Sequence, residues 1–481
     1  MCGILGVIAN KFSGNSNNLV STFFEMFHMV QHRGQDSCGI AYSNGGPVYV
    51  EKGIGFISQV FADTKEIKGD KPLIMIGHTR YPTAGSNSRV NAQPHFLDTA
   101  NGRLAFISNG DVPSYQQERK VLEKEGVEFL SANNGELILR YLYFHADGKI
   151  ANLEEAIKKL MLNVKAAYSS ILMIKDRIYV FRDPWGVRPM TIIKKDGYII
   201  VSSETCVVDD YHLLPKENIL EVKPGSLTTI DLKHRIVTTQ LVEPQTPQHC
   251  IFEQIYLGDP SSQLFGSAKQ VFTFRYFLGR QWGQELKVEL TTAELDQFIT
   301  DFKMITPVPD SGTPFAHGVA TELGMRFRNA INKNRYIPRT FINESGDRTR
   351  MIRLKFRVLM DIFHTEDNTM LGCDDSIVRG TTTRSLMNMI KQAGAKKIGM
   401  AVSCPPLISG CQLGINLPDN SGLIANELTP DEIRDFLDID FLRYLSLNGL
   451  KEVITKCKLN PDHFCYGCFT GDYGPFDVNF E

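Results

Sequence analysis

Short apolar runs alternate with polar, glycine-punctuated strings along the first half of the chain. The run in MCGILGVIANKF is stopped by Lys11 and has no basic leader, so it predicts a buried strand rather than a signal peptide. Residues 73–76 and 104–107 are further apolar runs that predict strands. FRDPWGVRP at 181–189 and VSSET at 201–205 each predict a strand that ends in a turn and serves mainly the architecture.

The second half has a different order, in which apolar runs lead into polar turns and then into a helical pattern. MITPVPDSGTP at 304–314 predicts a strand that ends in a proline and hydroxyl turn, whereas the strand signal at 361–373 is weak. Residues 384–393 have helical spacing, and IGMAVSCPP from Ile398 predicts the next buried strand. A strand, a helix and a strand in this order predict a parallel α/β sheet that binds its ligand at the strand ends.

The join between the halves is marked by LVEPQTPQH at 241–249, where prolines and polar residues predict a crossing between domains. The 481 residues suffice for two large domains or three ordinary ones, at about 150 residues per domain. We therefore expect one domain at residues 1–242 and a second at residues 243–481.

Composition narrows the class of partner. Lysine and arginine number 52 against 54 acidic residues, so no global charge draws the chain to nucleic acid or to an acidic membrane. No apolar run approaches the roughly 20 residues that span a bilayer, which predicts a soluble, cytoplasmic protein with small-molecule partners. The ten cysteines are expected to be thiols, metal ligands or a nucleophile rather than disulfides.

The string CDDSIVRGTTT at 373–383 joins an acidic pair, a phosphate-sized loop and the start of a helix. Asp374 and Asp375 can accept hydrogen bonds from two ribose hydroxyls or hold Mg²⁺, and the glycine and hydroxyl residues can present N–H groups to a phosphate. An Asp-rich turn that caps a helix would have the same composition. Composition alone leaves the two interpretations equal.

The full spelling DDSIVRGTT resembles the phosphoribosyl pyrophosphate (PRPP) loop of type I phosphoribosyltransferases, and most closely that of the glutamine PRPP amidotransferase family. The resemblance implies an α/β domain that binds PRPP together with Mg²⁺. Mg²⁺ would contact Ser311, Asp374 and Asp375. The residues implied around PRPP are Lys333, Tyr336, Asp374, Asp375, Ser376, Arg379, Gly380, Thr381 and Thr382.

Two alternatives stay open in this half. Ser311 would also suit an ordinary strand-end turn, and the basic segment KNRYIPRTFI at 333–342 would also suit a solvated loop. In the family this segment closes over PRPP and excludes water. Pro338 stands there in place of the usual glycine, and because proline fixes φ we expect slower or altered closure.

Cys2 gains significance from its position. If Met1 is removed, the thiol lies beside a free α-amine whose pKa of about 7.7–8.0 suits a general base near neutrality. Alone, an incidental cysteine in a buried strand is the better interpretation. Three further strings favour the nucleophile instead, because together with Cys2 they resemble a class II glutamine amidotransferase. The strings are QHRGQDSCGI at 31–40, GHTRYPTAG at 77–85 and SNGD at 108–111. The resemblance implies an N-terminal-nucleophile αββα fold, in which two antiparallel sheets pack between helix layers.

This second resemblance also implies a role for each matching residue. Cys2 would attack the side-chain amide of glutamine and release ammonia. Asn109 and the backbone N–H of Gly110 would form the oxyanion hole, which supplies donors where negative charge develops. Arg80 would bind the α-carboxylate of glutamine with its planar fork, and a solvated surface charge is the alternative for this residue.

One residue departs from the family pattern. An aspartate is expected shortly before a glutamate that opens a helix, to pair with the ammonium group of glutamine, but ANNGEL at 132–137 places Asn134 there. An amide carbonyl carries no full charge, and charge-assisted hydrogen bonds are roughly twice as strong as neutral ones. We therefore expect weaker glutamine binding, and we expect Asn134→Asp to lower the half-saturating glutamine concentration.

The cysteines give a separate prediction. Cys465 and Cys468 have the two-residue spacer common to zinc, iron–sulfur and redox sites. The resemblance adds Cys250 and Cys411, and the four match the ligand set in the iron–sulfur branch of the family. A [4Fe–4S] cluster is favoured and structural zinc is the alternative. The other cysteines after Cys2 are expected to be ordinary small buried residues: Cys38, Cys206, Cys373, Cys404 and Cys457.

The two resemblances together cover the chain from Cys2 to Gly474. They imply synthesis of 5-phosphoribosylamine, glutamate and pyrophosphate from glutamine, PRPP and water, the first step of de novo purine synthesis, by a homo-oligomer that purine nucleotides inhibit. Another class II amidotransferase, of the sugar-aminating or asparagine-forming kind, is disfavoured by DDSIVRGTT. The alternative of a different class is a divergent regulatory or nucleotide-binding paralogue with weak or no glutamine-dependent activity. It is suggested by Asn134, by Pro338 and by the weak strand signal before Asp374.

Overall fold

The structure is a computed structural model of the chain. It describes residues 2–10, 18–62, 67, 71–81, 86–337, 348–364, 368–415, 417 and 419–476. Pro338, which the sequence singled out, lies outside the described residues.

The described residues of the first half form thirteen strands and five α-helices. In chain order they are β1 Gly3–Ala9, α1 Leu19–Met29, β2 Ser37–Ser43, β3 Tyr49–Ile54, α2 Ile57–Val60, β4 Ile74–Arg80, β5 His95–Thr99, β6 Gly102–Asp111, α3 Tyr115–Lys124, α4 Asn134–His145, α5 Leu153–Asn163, β7 Ala167–Ile174, β8 Arg177–Arg182, β9 Thr191–Lys195, β10 Tyr198–Ser202, β11 Ile219–Glu221, β12 Ser226–Asp231 and β13 Ile236–Gln240.

These strands form two antiparallel sheets. Seven strands lie in the order β11-β9-β10-β1-β4-β2-β3, and six lie in the order β13-β12-β8-β7-β6-β5. The predicted strand at the N-terminus is β1, which pairs with β4 and β10 in the middle of the larger sheet. FRDPWGVRP and VSSET begin in β8 and β10 and then turn, as their breakers predicted.

Alternation along β1 explains how the layers stack. Ile4 and Ile8 face the six-stranded sheet and pack with Ile107 of β6, so they lie in the core between the sheets. Leu5 and Val7 face the other way and pack against α1. On the far side of the six-stranded sheet, α4 and α5 bury their apolar faces. The order helix, sheet, sheet, helix confirms the αββα prediction.

The described residues of the second half contain nine strands and ten α-helices. In chain order they are β14 His249–Cys250, α6 Val271–Glu289, α7 Thr292–Asp301, β15 Met304–Pro307, α8 Gly312–Leu323, β16 Arg326–Phe327, β17 Ile331–Lys333, α9 Arg348–Lys355, β18 Phe356–Val358, α10 Met360–Phe363, β19 Thr369–Asp374, α11 Thr381–Gln392, β20 Lys397–Val402, α12 Ile424–Glu427, α13 Pro430–Leu437, β21 Phe441–Tyr444, α14 Leu447–Lys456, β22 Phe464–Cys465 and α15 Gly467–Thr470.

A five-stranded parallel sheet organises this half, in the order β16-β15-β19-β20-β21. The weak strand signal before the acidic pair turns out to be β19, the central strand, which pairs in parallel with β15 and β20. Met370, Leu371 and Cys373 of β19 are fully buried. A central parallel strand is covered on both faces, so it needs apolar residues but not β-branched ones in particular. The strand signal of β19 was weak because the segment contains no valine-rich run. This sheet confirms the predicted α/β class.

The segment between the halves has little regular structure. Residues 241–248 form neither helix nor strand, and β14 then pairs in parallel with β22 near the end of the chain. A single π-helical turn follows at Glu253–Leu257. The boundary between residues 242 and 243 remains a prediction that this segment is compatible with. Among the described residues, no helix combines the length and the apolar character that crossing a membrane requires.

Candidate functional site

Cys2 stands immediately before β1, where β4 also ends. Its backbone N–H donates to Oδ1 of Asn109 at 3.1 Å, and its Sγ lies 3.8 Å from the carbonyl oxygen of Tyr81. Burial raises the pKa of this thiol, but His78 and the nearby chain terminus outweigh burial and lower the pKa to about 6. The thiolate, which is the nucleophilic form of cysteine, therefore predominates at neutral pH.

Asn109 and Gly110 lie at the end of β6 beside Cys2. Because Oδ1 of Asn109 accepts from Cys2, the Nδ2 group is left over, and it is buried without a hydrogen-bond partner. A Cβ on Gly110 would lie 1.8 Å from the carbonyl oxygen of Ala167 on β7, so only glycine fits there. A buried donor without a partner is costly, which makes this amide available to an oxyanion formed at the thiol.

His78 belongs to this site, and the sequence analysis did not single it out. It is fully buried on β4, its Nε2 lies 3.2 Å from the carbonyl oxygen of Ser108, and it interacts with the thiol of Cys2. His78 and Arg80 are two residues apart on one strand and so share a face of the sheet. That spacing within GHTR was the signal that could have identified His78.

Arg80 is buried, which excludes the alternative of a solvated surface charge. Only 1% of the residue is exposed, and its Nη1 donates to the carbonyl oxygen of Ser86 at 3.2 Å. Burial lowers the pKa of this guanidinium, and the charges of Cys2 and Asp36 partly offset that effect. A cationic fork therefore lies inside the molecule close to the nucleophile. Residues 82–85 of the same string lie outside the described residues.

Asn134 is the first residue of α4, and its side chain contacts a carboxylate that the sequence analysis overlooked. Its Nδ2 donates to Oδ1 of Asp111, the residue that follows Gly110 at the end of β6. The Oδ1 atom of Asn134 is buried and has no partner. Burial raises the pKa of Asp111 to about 6, although the N–H of Val112, the charge of Arg188 and the bond from Asn134 stabilise its ionised form. Position 134 therefore lacks a carboxylate, but Asp111 places one in contact with it.

A buried network of charges joins Cys2 to the second half of the chain. Arg33 donates from Nε to the carbonyl oxygen of Cys2 at 2.9 Å, and its two terminal nitrogens donate to Glu253 at 3.0 Å each. Arg33 also pairs with Glu204, and Arg188 reaches Glu253 at 3.5 Å. All four charged side chains are fully buried. No sequence signal pointed to this network, because its members lie far apart in the chain.

The acidic pair lies at the carboxyl end of β19, as the strand-end rule predicted. Asp375 accepts from the hydroxyl of Ser311 at 2.5 Å and from the hydroxyl of Ser376 at 2.8 Å, and its N–H donates to Oδ1 of Asp374 at 2.9 Å. Burial and the charge of Asp375 raise the pKa of Asp374 well above its usual range. Two adjacent carboxylates favour a cation or hydroxyl donors between them.

The loop after the acidic pair ends at the N-terminus of α11. Gly380 has φ +69°, a left-handed conformation that glycine adopts without strain, and the helix begins at Thr381. Thr381 and Thr382 are exposed in the first turn, where backbone N–H groups have no partner within the helix. Arg379 is also exposed at this end. The first turn can therefore bind a phosphate, because its N–H groups and the helix dipole both favour an anion.

The residues expected to contact pyrophosphate lie beside this sheet. Lys333 ends β17 and donates to Oδ2 of Asp310 at 2.7 Å, in the turn that also carries Ser311. Tyr336 is 94% exposed and directed to solvent rather than into the acidic site. The structure therefore brings Ser311, Asp375 and Lys333 to one edge of the sheet, whereas Tyr336 lies outside it.

The Mg²⁺ prediction can be compared with the donors present. Within the described part of the chain, no three histidine, cysteine or acidic side chains are grouped so as to hold a metal ion. Asp374, Asp375 and the hydroxyl of Ser311 form a smaller oxygen set. Mg²⁺ usually keeps several waters and binds through one or two carboxylates plus substrate phosphates, so this set fits Mg²⁺ that arrives with PRPP.

The four predicted cluster ligands meet at the junction between the halves. Cys250 and Cys465 are opposite each other in the β14–β22 pair, and Cys411 and Cys468 line the same apolar cavity. Burial raises the pKa of Cys250 to about 11 and that of Cys465 to about 12, and it also raises those of Cys411 and Cys468. Thiols in such a cavity ionise only when a cationic centre balances their charge.

The four thiols are the ligand type that both metal alternatives use. Zinc would draw four sulfurs to about 2.3 Å from one centre, whereas a [4Fe–4S] cluster binds each thiolate to a different iron and keeps the sulfurs farther apart. The four thiols around one cavity fit either group. The remaining cysteines predicted as ordinary residues are buried, and none of the ten forms a disulfide.

Comparisons with known proteins agree with both halves. Residues 78–209 match the family model of a glutamine amidotransferase domain. The chain is 33% identical to an amidophosphoribosyltransferase of Methanocaldococcus jannaschii, over 100% of this chain and 99% of the relative. Among solved structures, an allosteric regulatory enzyme of purine biosynthesis matches with a TM-score of 0.84, 30% identity and coverage of 98% and 96% of the two chains. Glutamine PRPP amidotransferase from B. subtilis, complexed with ADP and GMP, matches with a TM-score of 0.83, 29% identity and coverage of 98% and 97%.

The αββα half with its terminal cysteine and the parallel α/β half with its acidic loop define a two-domain glutamine amidotransferase. The similarity extends over essentially the whole length of the relatives rather than over one half. The chain belongs to the amidophosphoribosyltransferase family, the enzymes of the first step of de novo purine synthesis.

Proposed function

We propose that this chain makes 5-phosphoribosylamine, glutamate and pyrophosphate from glutamine, PRPP and water. The observation that carries the proposal is the set around Cys2, where a thiol with a lowered pKa meets an unpartnered amide N–H of Asn109. The acidic loop of the same chain provides the second site. Ammonia freed at Cys2 passes inside the molecule to carbon 1 of PRPP.

In the glutaminase half, removal of Met1 leaves the α-amine of Cys2 beside its thiol and hydrogen-bonded to Asn109. The Cys2 thiolate attacks the side-chain carbonyl carbon of glutamine, and the oxyanion accepts hydrogen bonds from Nδ2 of Asn109 and N–H of Gly110. The carbon–nitrogen bond then breaks, the amine delivers a proton, and ammonia leaves. Water hydrolyses the thioester to glutamate and returns the thiol. Arg80 holds the α-carboxylate throughout.

In the phosphoribosyltransferase half, positioning and charge do most of the work. The carboxylates of Asp374 and Asp375 accept hydrogen bonds from the two ribose hydroxyls. The first turn of α11, with Gly380, Thr381 and Thr382, binds the 5-phosphate, supported by Ser376 and Arg379. Lys333 and Tyr336 act at the leaving pyrophosphate. When bound at Ser311, Asp374 and Asp375, Mg²⁺ would neutralise the departing pyrophosphate.

We also propose that Cys250, Cys411, Cys465 and Cys468 hold a [4Fe–4S] cluster with a structural role. Their shared apolar cavity between β14, β22 and the first half supports this assignment. Anaerobically purified chain should be brown, contain about four irons per chain and lose its colour in air. Colourless protein with stoichiometric zinc would contradict the assignment.

Several properties come to this chain from its family and from its composition. We infer a cytoplasmic homo-oligomer that purine nucleotides inhibit, without a nucleic-acid or membrane partner. The balance of 52 basic against 54 acidic residues supports the absence of a nucleic-acid or membrane partner, and the ADP and GMP named for the B. subtilis relative support nucleotide inhibition.

The nitrogen source provides the decisive test of the proposed function. PRPP consumption and phosphoribosylamine formation should occur with glutamine and with free ammonia, and Cys2→Ala should abolish only the glutamine-dependent reaction. Intact-mass analysis should find the chain without Met1. A regulatory paralogue would form no product from either nitrogen source. Retention of Met1 together with absent glutamine hydrolysis would contradict the nucleophile assignment alone.

A further inference from the structure

The start of α4 is an unfavourable place for a cation unless a carboxylate is near. The unpaired N–H groups and the dipole of a helix give its N-terminus a partial positive charge. Asn134 is the first residue of α4. It stands at the position where the resemblance to glutamine amidotransferases implies an aspartate that binds the ammonium group of glutamine. An amide there leaves both the substrate charge and the helix charge without a balancing anion, so the anion must come from elsewhere.

Glu136, the nearest acidic residue on α4, is already fully used. Its Oε1 accepts from the N–H of Leu130 at 2.9 Å, and its Oε2 accepts from the N–H and the hydroxyl of Ser131 at 2.6 Å each. Arg140 also pairs with it at 3.3 Å. These contacts fix the loop before the helix, and they leave Glu136 no role in binding a ligand.

Asp111 is the carboxylate that does reach the start of α4. Its Oδ1 accepts from Nδ2 of Asn134 and from the N–H of Val112, the latter at 3.0 Å. An ionised carboxylate only accepts hydrogen bonds, so the NH₂ group of Asn134 must face Asp111 and its carbonyl oxygen must face away. That oxygen is buried and has no partner. Oδ1 of Asn134, an acceptor without a donor, thus lies next to the carboxylate of Asp111. Asp111 follows Asn109 by two residues.

We propose that Asp111 supplies the negative charge that binds the α-ammonium group of glutamine, while Oδ1 of Asn134 accepts one of its N–H groups. In this chain the carboxylate lies at the end of β6, on Asp111, and the amide lies at the start of α4, on Asn134. The contact between these elements therefore keeps one negative charge. This inference rests on the proposed glutaminase function and names the residue that gives its pocket its selectivity for an amino acid.

The exchange changes what each variant should do. Asp111→Asn removes the only carboxylate of the pair and should weaken glutamine binding about ten- to hundredfold, the range of a lost charge-assisted bond. Asn134→Asp alone places two carboxylates in contact, and like charges raise the pKa of one of them until it keeps its proton. It should therefore improve binding less than threefold, which replaces the expectation drawn from the sequence alone. The double variant Asp111→Asn with Asn134→Asp restores one charge and should bind within about threefold of the parent.

Binding can be measured without turnover in the full chain carrying Cys2→Ala. Calorimetric titration with glutamine should give the order parent, then the double variant, then Asp111→Asn. Glutaramate, which has the carboxamide and the carboxylate but no α-amine, should bind equally to all of them. Asp98→Asn is the control and should leave glutamine binding unchanged. It removes an exposed carboxylate on β5 that pairs with Arg103 of β6.

The outcomes separate this inference from the proposed function. Unchanged glutamine binding by Asp111→Asn, a double variant no better than Asp111→Asn, or an equal loss of glutaramate binding would each overturn it. Absence of glutamine binding by the Cys2→Ala parent would overturn it as well. Circular-dichroism spectra and urea-denaturation midpoints of the same variants should match those of the parent, which would show that they fold. A chain that binds glutamine in the expected order but never hydrolyses it would refute the glutaminase function and leave the inference standing.

Discussion

Asn109 illustrates how a single orientation gives a residue its function. Its amide could present either end to a ligand, but the N–H of Cys2 holds Oδ1 and leaves Nδ2 as a buried donor without a partner. The string SNGD provides the residue type. The contact with Cys2, 107 positions away, decides which end of the amide faces a ligand. The same string contains Asp111, whose importance depends entirely on the side chain that meets it.

We expect Asn109→Ala to lower glutamine-dependent product formation about 10²- to 10³-fold, since removing one oxyanion donor has that effect. The ammonia-dependent reaction should remain within twofold, because it does not use the oxyanion hole. Asn101→Ala, at the exposed turn between β5 and β6, is the matched control and should change neither rate. A parallel loss of both reactions would contradict the assigned role.

The thiol of Cys2 should titrate far below an ordinary cysteine. Iodoacetamide reacts with the thiolate, so the modification rate of the N-terminal peptide should rise with pH and reach half its plateau near pH 6 instead of 9. His78→Gln removes the group that favours the thiolate and should move the midpoint toward 9. Cys38, whose pKa burial raises to about 12, should stay unmodified and serves as the internal control. An unchanged midpoint in His78→Gln would disprove the coupling between His78 and the thiol of Cys2.

At the scale of elements, glycine decides how closely helices can pack in the second half. A Cβ on Gly279 of α6 would lie 2.0 Å from the carbonyl oxygen of Phe315 on α8, and a Cβ on Gly318 of α8 would lie 2.0 Å from that of Tyr276. The two helices therefore approach backbone to backbone through reciprocal glycines. The helical pattern of residues did not predict this contact, because glycine weakens such a pattern.

We expect Gly279→Ala to destabilise the chain by at least about 1–3 kcal/mol, the usual range for overpacking, since the obstacle is backbone and cannot rotate away. Urea denaturation followed by circular dichroism would measure the loss. Gly46→Ala, which meets only the flexible end of Asn44, is the control and should have little effect. An unchanged midpoint for Gly279→Ala would mean that α6 and α8 can separate without penalty.

At the scale of the whole molecule, buried charges hold the glutaminase site against the junction. Glu253 accepts from Arg33 and Arg188, and Arg33 in turn binds the carbonyl oxygen of Cys2. The charges of His32 and Arg33 overcome the burial of Glu204 and hold the pKa of that carboxyl well below its usual range. The nucleophile is thus positioned by residues from both halves.

Glu253→Gln leaves Arg33 and Arg188 buried with less compensating charge, and breaking a buried pair in this way costs about 3–5 kcal/mol. We expect a loss of that size in urea denaturation at pH 7, with a larger fall in glutamine-dependent than in ammonia-dependent activity. Glu289→Gln is the control, because its pair with Arg443 is half exposed and should contribute under about 1 kcal/mol. Equal effects of the two substitutions would refute the structural role of the network.

The sequence by itself indicated Cys2, Asn109 and the acidic loop as candidate site residues, and their resemblance to known motifs implied the class of each half. Apolar runs predicted β1, β4 and β6, because signals of this kind are contained in a few consecutive residues. Only the tertiary structure decided that β19 is central, that Asp111 meets Asn134 and that Arg33 meets Glu253, 220 positions away. Such contacts join residues distant in the chain, and their energies come from burial and pairing that no local pattern contains.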